Sequence, residues 1–224
     1  MSCSDDTSTS TSSPTFSYDQ SGNLSLKDGD SFVNDGWQLT TVQDQQGTTV
    51  YSVTYSVDGN ITAKLSGSGA TVNSMSYDSA GQLSQLDGTT FIYDFGGRMI
   101  KATTSSGDVT YYPSQSYEVN MLAQGEVSVT SYLMHGYRRA AFTSFLTSDG
   151  KVDSTTVYYF HSDHLGSTVA ASNTSGMIIT NYSYDAFGTV TVKGPDVARY
   201  KFSGKEQFGD FYCFGARFYD PQVK

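Results

Sequence analysis

The sequence predicts an all-β protein of stacked β-hairpins, and three observations carry that prediction. The composition suits pleated sheet: 17 Tyr, 13 Phe and 22 Gly stand against 4 Pro, and Ser with Thr supplies about a quarter of the 224 residues. Short stretches alternate in polarity. Val50-Tyr51-Ser52-Val53-Thr54-Tyr55 has the period of a half-buried strand. A Tyr-Asp-x-x-Gly pattern recurs along the chain, and recurrence at a short period marks a repeat architecture. No segment sustains a helical period, and Met121-Leu122-Ala123-Gln124-Gly125 is too short to count.

Residues 1–14 are mostly Ser, Thr and Asp with little to bury, which predicts a disordered tail. Repeats follow over 15–150. Copies read Tyr18-Asp19-Gln20-Ser21-Gly22-Asn23-Leu24, Tyr55-Ser56-Val57-Asp58-Gly59-Asn60-Ile61, Tyr77-Asp78-Ser79-Ala80-Gly81-Gln82-Leu83 and Tyr93-Asp94-Phe95-Gly96-Gly97-Arg98-Met99. A late copy spans Tyr184-Asp185-Ala186-Phe187-Gly188-Thr189-Val190. A shortened one lies at Val33-Asn34-Asp35-Gly36-Trp37-Gln38-Leu39, and a degenerate one near Tyr111-Tyr112-Pro113. Steps of 37, 22 and 16 residues separate Tyr18, Tyr55, Tyr77 and Tyr93.

Each copy reads as a hairpin. The Asp caps amide groups in the turn, the Gly takes a positive φ, and the aliphatic residue opens the returning strand. The Tyr covers the neighbouring hairpin with its hydroxyl at the rim. A lone hairpin is marginal in water, so the copies must stack edge to edge. About 12–14 strands at ~4.8 Å spacing would close a tube ~20 Å across.

The chain carries 13 Lys and Arg against 22 Asp and Glu, a net charge of −9. Nucleic acid and anionic membrane surfaces require a basic face, so both are disfavoured as partners. No apolar run approaches the ~18 residues of a membrane span. The N-terminus has neither the basic nor the apolar stretch of a signal peptide. Cys3 and Cys213 are too few for a disulfide framework.

Several residues invite chemical readings. His161, Asp163 and His164 could suggest a metal, but on a strand 161 and 163 share one face while 164 points to the other. A hydrogen-bonded turn cluster fits better. The repeat Asp residues supply about one oxygen ligand per turn, which suits capping more than calcium. Trp37 stands at a polar position of the repeat and is a candidate for ligand stacking. Cys213 would need a base such as His135 or His164 to act as a nucleophile, and a small buried residue is the plainer reading. Arg217 is expected to pair with a carboxylate in the core. Arg138-Arg139 is assigned to a solvated turn. No catalytic residue, metal site or cofactor is assigned.

The C-terminal third is specific. Tyr158-Tyr159-Phe160-His161-Ser162-Asp163-His164-Leu165-Gly166-Ser167-Thr168, Tyr200-Lys201-Phe202-Ser203-Gly204-Lys205-Glu206 and Phe211-Tyr212-Cys213-Phe214-Gly215-Ala216-Arg217-Phe218-Tyr219-Asp220-Pro221 occur in order. They resemble the segments YYHxDHLGST, YRFTGKE and LYYYGARYYDP of the Rhs family, whose Tyr-Asp (YD) repeats also occur in insecticidal toxin complexes and teneurins. The resemblance covers roughly residues 16–221 and identifies 151–224 as an Rhs repeat-associated core segment.

The resemblance implies a sheet that spirals into a hollow shell, closed at one end by the core segment and followed by a toxin. Self-cleavage in toxin members uses Asp-Pro-x-Gly motifs, which do not appear after Asp220-Pro221-Gln222-Val223-Lys224. It also suggests a secreted protein. The leading expectation is therefore a shell segment without toxin or self-cleavage site, pairing with other such segments or with itself through sheet edges. A secreted carbohydrate-binding module is the alternative, and an enzyme reusing the β-tube as a pocket is a lesser one.

Overall fold

The computed structural model describes residues 14–135, 138–148, 151–215 and 217–223, with backbone alone over 135–153. The expected disordered tail up to residue 13, Cys3, Ala216, and the side chains of His135, Arg138 and Arg139 lie outside what is described. The chain divides into two compact units, at Val72 and Asn73.

The first unit is an antiparallel meander of β1 (Phe16–Tyr18), β2 (Leu24–Lys27), β3 (Asp30–Asp35), β4 (Gln38–Gln43), β5 (Thr49–Tyr55) and β6 (Ile61–Ser66), each paired with the next. Alternation sets its buried face: Phe32, Leu39, Val42 and Val53 are buried.

The second unit begins within β7 (Thr71–Tyr77). It continues through β8 (Leu83–Leu86), β9 (Thr89–Tyr93), β10 (Met99–Thr103), β11 (Val109–Ser114), β12 (Tyr117–Met121), β13 (Val127–His135), β14 (Arg138–Ser148), β15 (Lys151–Ser162), β16 (Thr168–Ser172), β17 (Ile178–Tyr184) and β18 (Val190–Lys193). Every consecutive pair from β7 to β18 is antiparallel. A short 3-10 turn, Phe202–Gly204, leads into a separate sheet of β19 (Glu206–Phe208), β20 (Phe211–Cys213) and β21 (Phe218–Tyr219). This small sheet packs its aromatic side chains on the large one. The Phe91 ring lies 5.1 Å from that of Phe208 and 5.0 Å from that of Phe218, within a core holding Leu83, Leu86, Ala102, Tyr112 and Phe211.

Among the described residues the strands number 21, above the 12–14 expected from the repeats. The Tyr-Asp motif marks only some of the connections. The loop itself is general: a type I turn closed by a glycine at positive φ. At Asp78, the Gly81 amide donates to the Asp78 carbonyl at 3.0 Å and the Asp78 amide to the Gln82 carbonyl at 2.9 Å. Asp78 Oδ1 accepts from the amides of Ala80 and Gln82, both at 2.9 Å. Asp19, Asp94 and Asp185 do the same, and so do Asp44, Asp163 and Asn173, which no Tyr precedes. The exposed Asp19 and Asp94 carboxyls are held below the usual carboxylate range, chiefly by hydrogen bonds from the Asn23 side chain and the Arg98 amide respectively.

Asp58 does not cap its turn. The residue at the capping position is Ser56, whose Oγ accepts the Asn60 amide at 3.2 Å, because Asp58 falls two places later in the loop. Tyr111-Tyr112-Pro113 is no repeat turn either; it lies inside β11, and the nearest loop closed by a glycine is Thr104–Asp108. Other connections are tighter. Asp28-Gly29 and Asp87-Gly88 have both residues at positive φ, the pattern of two-residue hairpin turns.

Gly81 and Gly97 sit at φ 76° and 78°. A Cβ at Gly81 would meet nothing within 4 Å, whereas at Gly97 it would come 2.9 Å from Gln82 Nε2. Gly81→Val is therefore expected to cost ~1–3 kcal/mol through the backbone alone, and Gly97→Val somewhat more. Thermal unfolding measures both, and wild-type melting in each variant would contradict this account of the loops.

Candidate functional site

The repeat tyrosines do more than cover their neighbours. Tyr55 donates its hydroxyl to the Leu39 carbonyl at 2.8 Å, Tyr93 to Leu83 at 2.8 Å and Tyr184 to Thr168 at 2.7 Å. Each acceptor opens the strand that follows an earlier turn, so the hydroxyl ties one hairpin to a preceding one. Burial pushes the pKa of all three upward and keeps them as donors. Tyr77 is half-buried against the Leu83 cluster, and Tyr18 is exposed.

The late repeat is built into the core segment. Phe202 lies where a Cβ on Gly188 (φ 98°) would stand, 2.6 Å away, so only glycine fits there. Tyr212 donates to the Gly188 carbonyl at 2.9 Å and Tyr219 to the Phe187 carbonyl at 2.8 Å. Tyr212 is fully buried. Gly204 has φ 65° and its amide bonds the Lys201 carbonyl at 3.1 Å. Buried Asp220 accepts the Gln222 amide at 2.8 Å.

The most charged arrangement among the described residues lies where the core segment meets the repeat sheet. Arg199 extends between Glu118 of β12 and Glu206 of β19. Its guanidinium stands 3.3 Å from Glu118 Oε2 and 2.5 Å from Glu206 Oε1, and donates to Asn120 Oδ1 at 2.8 Å. Tyr112 of β11 donates to Glu206 Oε1 at 2.8 Å. Tyr132 of β13 donates to Glu118 Oε2 at 3.3 Å, and Tyr200 donates to Glu118 Oε1. Glu118 is 1% exposed and Glu206 7%. Burial pushes the Glu206 carboxyl up, with the Arg199 charge opposing and Glu118 reinforcing. The neighbouring carboxylates outweigh desolvation at Arg199, whose pKa rises and which stays a cation.

Sequence reasoning assigned the core arginine to Arg217. Arg217 is exposed, and the cation between the carboxylates is Arg199. The glycine-turned segment at Gly215 (φ 88°) carries Arg217 to the surface, where it lines a cleft of about 320 Å³ with Phe214, Phe218 and Tyr219. Glu118 and Arg199 were not foreseen. Their partners lie some eighty residues apart in the chain, and neither residue belongs to a local motif.

The remaining candidates stay apart. His161 Nε2 and Ser172 Oγ are 2.9 Å apart across β15 and β16, while Asp163 caps its loop and His164 is exposed. No group of three or more His, Cys, Asp or Glu gathers among the described residues. Burial pushes the Cys213 thiol up to about 11, so it is not a thiolate near neutral pH. Lys205 lies over the Phe214 ring at 5.1 Å. Trp37, 73% exposed in the first unit, rests its ring edge against the turn at Gly59 (φ 81°), 3.0 Å from where a Cβ would stand.

Arg199→Met would leave two buried carboxylates without their cation. The expected loss is on the order of 3 kcal/mol in chemical denaturation, the low end for buried pairs because the arginine is 35% exposed. Arg217→Met is expected to stay within about 0.5 kcal/mol of wild type.

No family profile matches the chain. It is similar to the tRNA3(Ser)-specific nuclease WapA of Bacillus spizizenii, 29% identical over 92% of this chain and 9% of the relative, and to the tRNA nuclease WapA of Bacillus subtilis, at 28% over the same shares. Among solved structures it resembles TcdB2-TccC3, with a TM-score of 0.63 and 16% identity over 87% of this chain and 12% of that one. It also resembles the Tc holotoxin pore of Photorhabdus luminescens, with a TM-score of 0.57 and 15% identity over 94% of this chain and 15% of that one. The chain thus spans about a tenth of the relatives it matches. The ordered core motifs, the Tyr-Asp hairpins and these likenesses agree: the chain is similar to Rhs, or YD-repeat, proteins and shares their fold.

Proposed function

We propose that the chain is a wall segment of an exported Rhs-type shell, acting by enclosure and assembly. The observation that carries this reading is the unbroken hairpin-to-hairpin pairing within each unit, fastened by tyrosine hydroxyls to earlier carbonyls. A sheet made this way grows by adding hairpins, as a wall requires. The two Bacillus relatives carry nuclease names, but a net charge of −9 is a poor match for tRNA, which favours a scaffold role for this segment. No helix among the described residues is long and apolar enough to cross a membrane.

Electron microscopy of the protein isolated from its native source is expected to show a hollow particle with residues 16–221 in its wall. A particle without a lumen would overturn the proposal. One observation favours a second reading, a carbohydrate-binding module: Trp37 offers an exposed aromatic ring. On that reading a glycan array would show reproducible binding that Trp37→Ala abolishes, whereas a blank array with wild-type protein would remove it.

A further inference from the structure

The cluster at the junction holds two buried carboxylates and one guanidinium. With both acids ionised it carries one uncompensated negative charge in a largely water-free site. The hydrogen bonds are arranged differently on the two acids. Glu118 receives one on each oxygen, from Tyr200 on Oε1 and Tyr132 on Oε2, with the Arg199 guanidinium 3.3 Å from Oε2 as an ion pair. Glu206 receives Tyr112 and Arg199, both on Oε1.

We infer that Glu118, Arg199 and Glu206 form a one-proton latch that fastens the core segment to the repeat sheet, closed when Glu206 is protonated and loosened when both acids are ionised. The latch joins elements distant in sequence. Tyr112, Glu118 and Tyr132 project from β11, β12 and β13, while Arg199, Tyr200 and Glu206 come from the core segment. Cys213 of β20, paired in register with Glu206, faces it as an un-ionised thiol, with Lys205 beside it. Lys201 is engaged elsewhere, by Asp196 at 2.5 Å and Gln207 at 2.7 Å. Arg199 remains a cation and Tyr112 a neutral donor, and Glu206 is the acid of the cluster that burial pushes up.

The direction follows from burial, which raises the Glu206 carboxyl in the folded protein above its value in the unfolded chain. The folded state therefore gains from the neutral acid. That gain is complete below the ordinary glutamic acid range and is lost as pH rises through the raised value. The junction is tight in mild acid and loosens toward neutral and alkaline pH, opposite to a junction held by a simple ion pair. This inference stands independently of the shell reading, since it concerns one joint within the second unit.

Two measurements on the full chain test it. Carbon-detected NMR of the side-chain carboxyls should give Glu206 a titration midpoint above the ordinary value of about 4.3. The melting temperature of the second unit should fall as pH rises through that midpoint, by roughly 3–5 °C for each unit of elevation. Glu206→Gln, permanently neutral, should abolish the fall. Glu118→Gln leaves one acid facing one arginine and should bring the Glu206 midpoint down. A Glu206 midpoint at or below the ordinary value in wild-type protein would overturn the inference. So would an unchanged pH dependence of melting in Glu206→Gln.

Discussion

The architecture depends on one constraint: the backbone amides of each turn must be satisfied, and most loops do so with their own first residue. The solution is a short side chain at the first loop position and a glycine at the fourth. The carboxylate of Asp78 or Asp94 takes the second and fourth amides that follow it, and the glycine absorbs the positive φ that closes the loop. Asn173 does the same work without charge, and Ser56 serves with a single bond. Because most loops are self-sufficient, hairpins can follow one another in series with varied strand lengths.

Hairpins that are complete in themselves still need to be joined. The ladder of backbone bonds supplies most of the joining, and the repeat tyrosine adds a specific tie. Its ring fills space beside the turn and its hydroxyl finds a carbonyl an earlier turn has left available. Aromatic mass and a single polar atom are thereby used together, which explains why tyrosine rather than phenylalanine precedes the loop in these copies.

The end of the core segment follows a different logic. β19, β20 and β21 are not another hairpin in the series but a small sheet laid on the large sheet of the second unit through Phe208, Phe211 and Phe218. Apolar packing alone would allow such a sheet to slide. The Arg199 guanidinium, set between two buried carboxylates to which three tyrosines also donate, is directional and fixes the placement. The same directionality carries a cost, since two acids share one cation, and that imbalance gives the joint its sensitivity to protons.

The amino-acid sequence by itself determined the class of fold, the hairpin repeat, the glycine positions and the order of the core motifs. All of these rest on interactions within a few residues, such as Asp78 with the amides of Ala80 and Gln82. The number of hairpins was only partly legible, because Asp44, Ser66, Thr104 and Asn173 open the same loop without the preceding tyrosine. Asp58 misled because a carboxylate two places late cannot reach the amides that Ser56 serves. Only the tertiary structure decided which arginine is held between carboxylates. Tyr112 and Glu206 lie 94 residues apart, and Tyr200 and Glu118 lie 82 apart. Periodicity reports which face a residue takes on its own strand, whereas a charge cluster is assembled by whichever strands the packing of the core segment brings together.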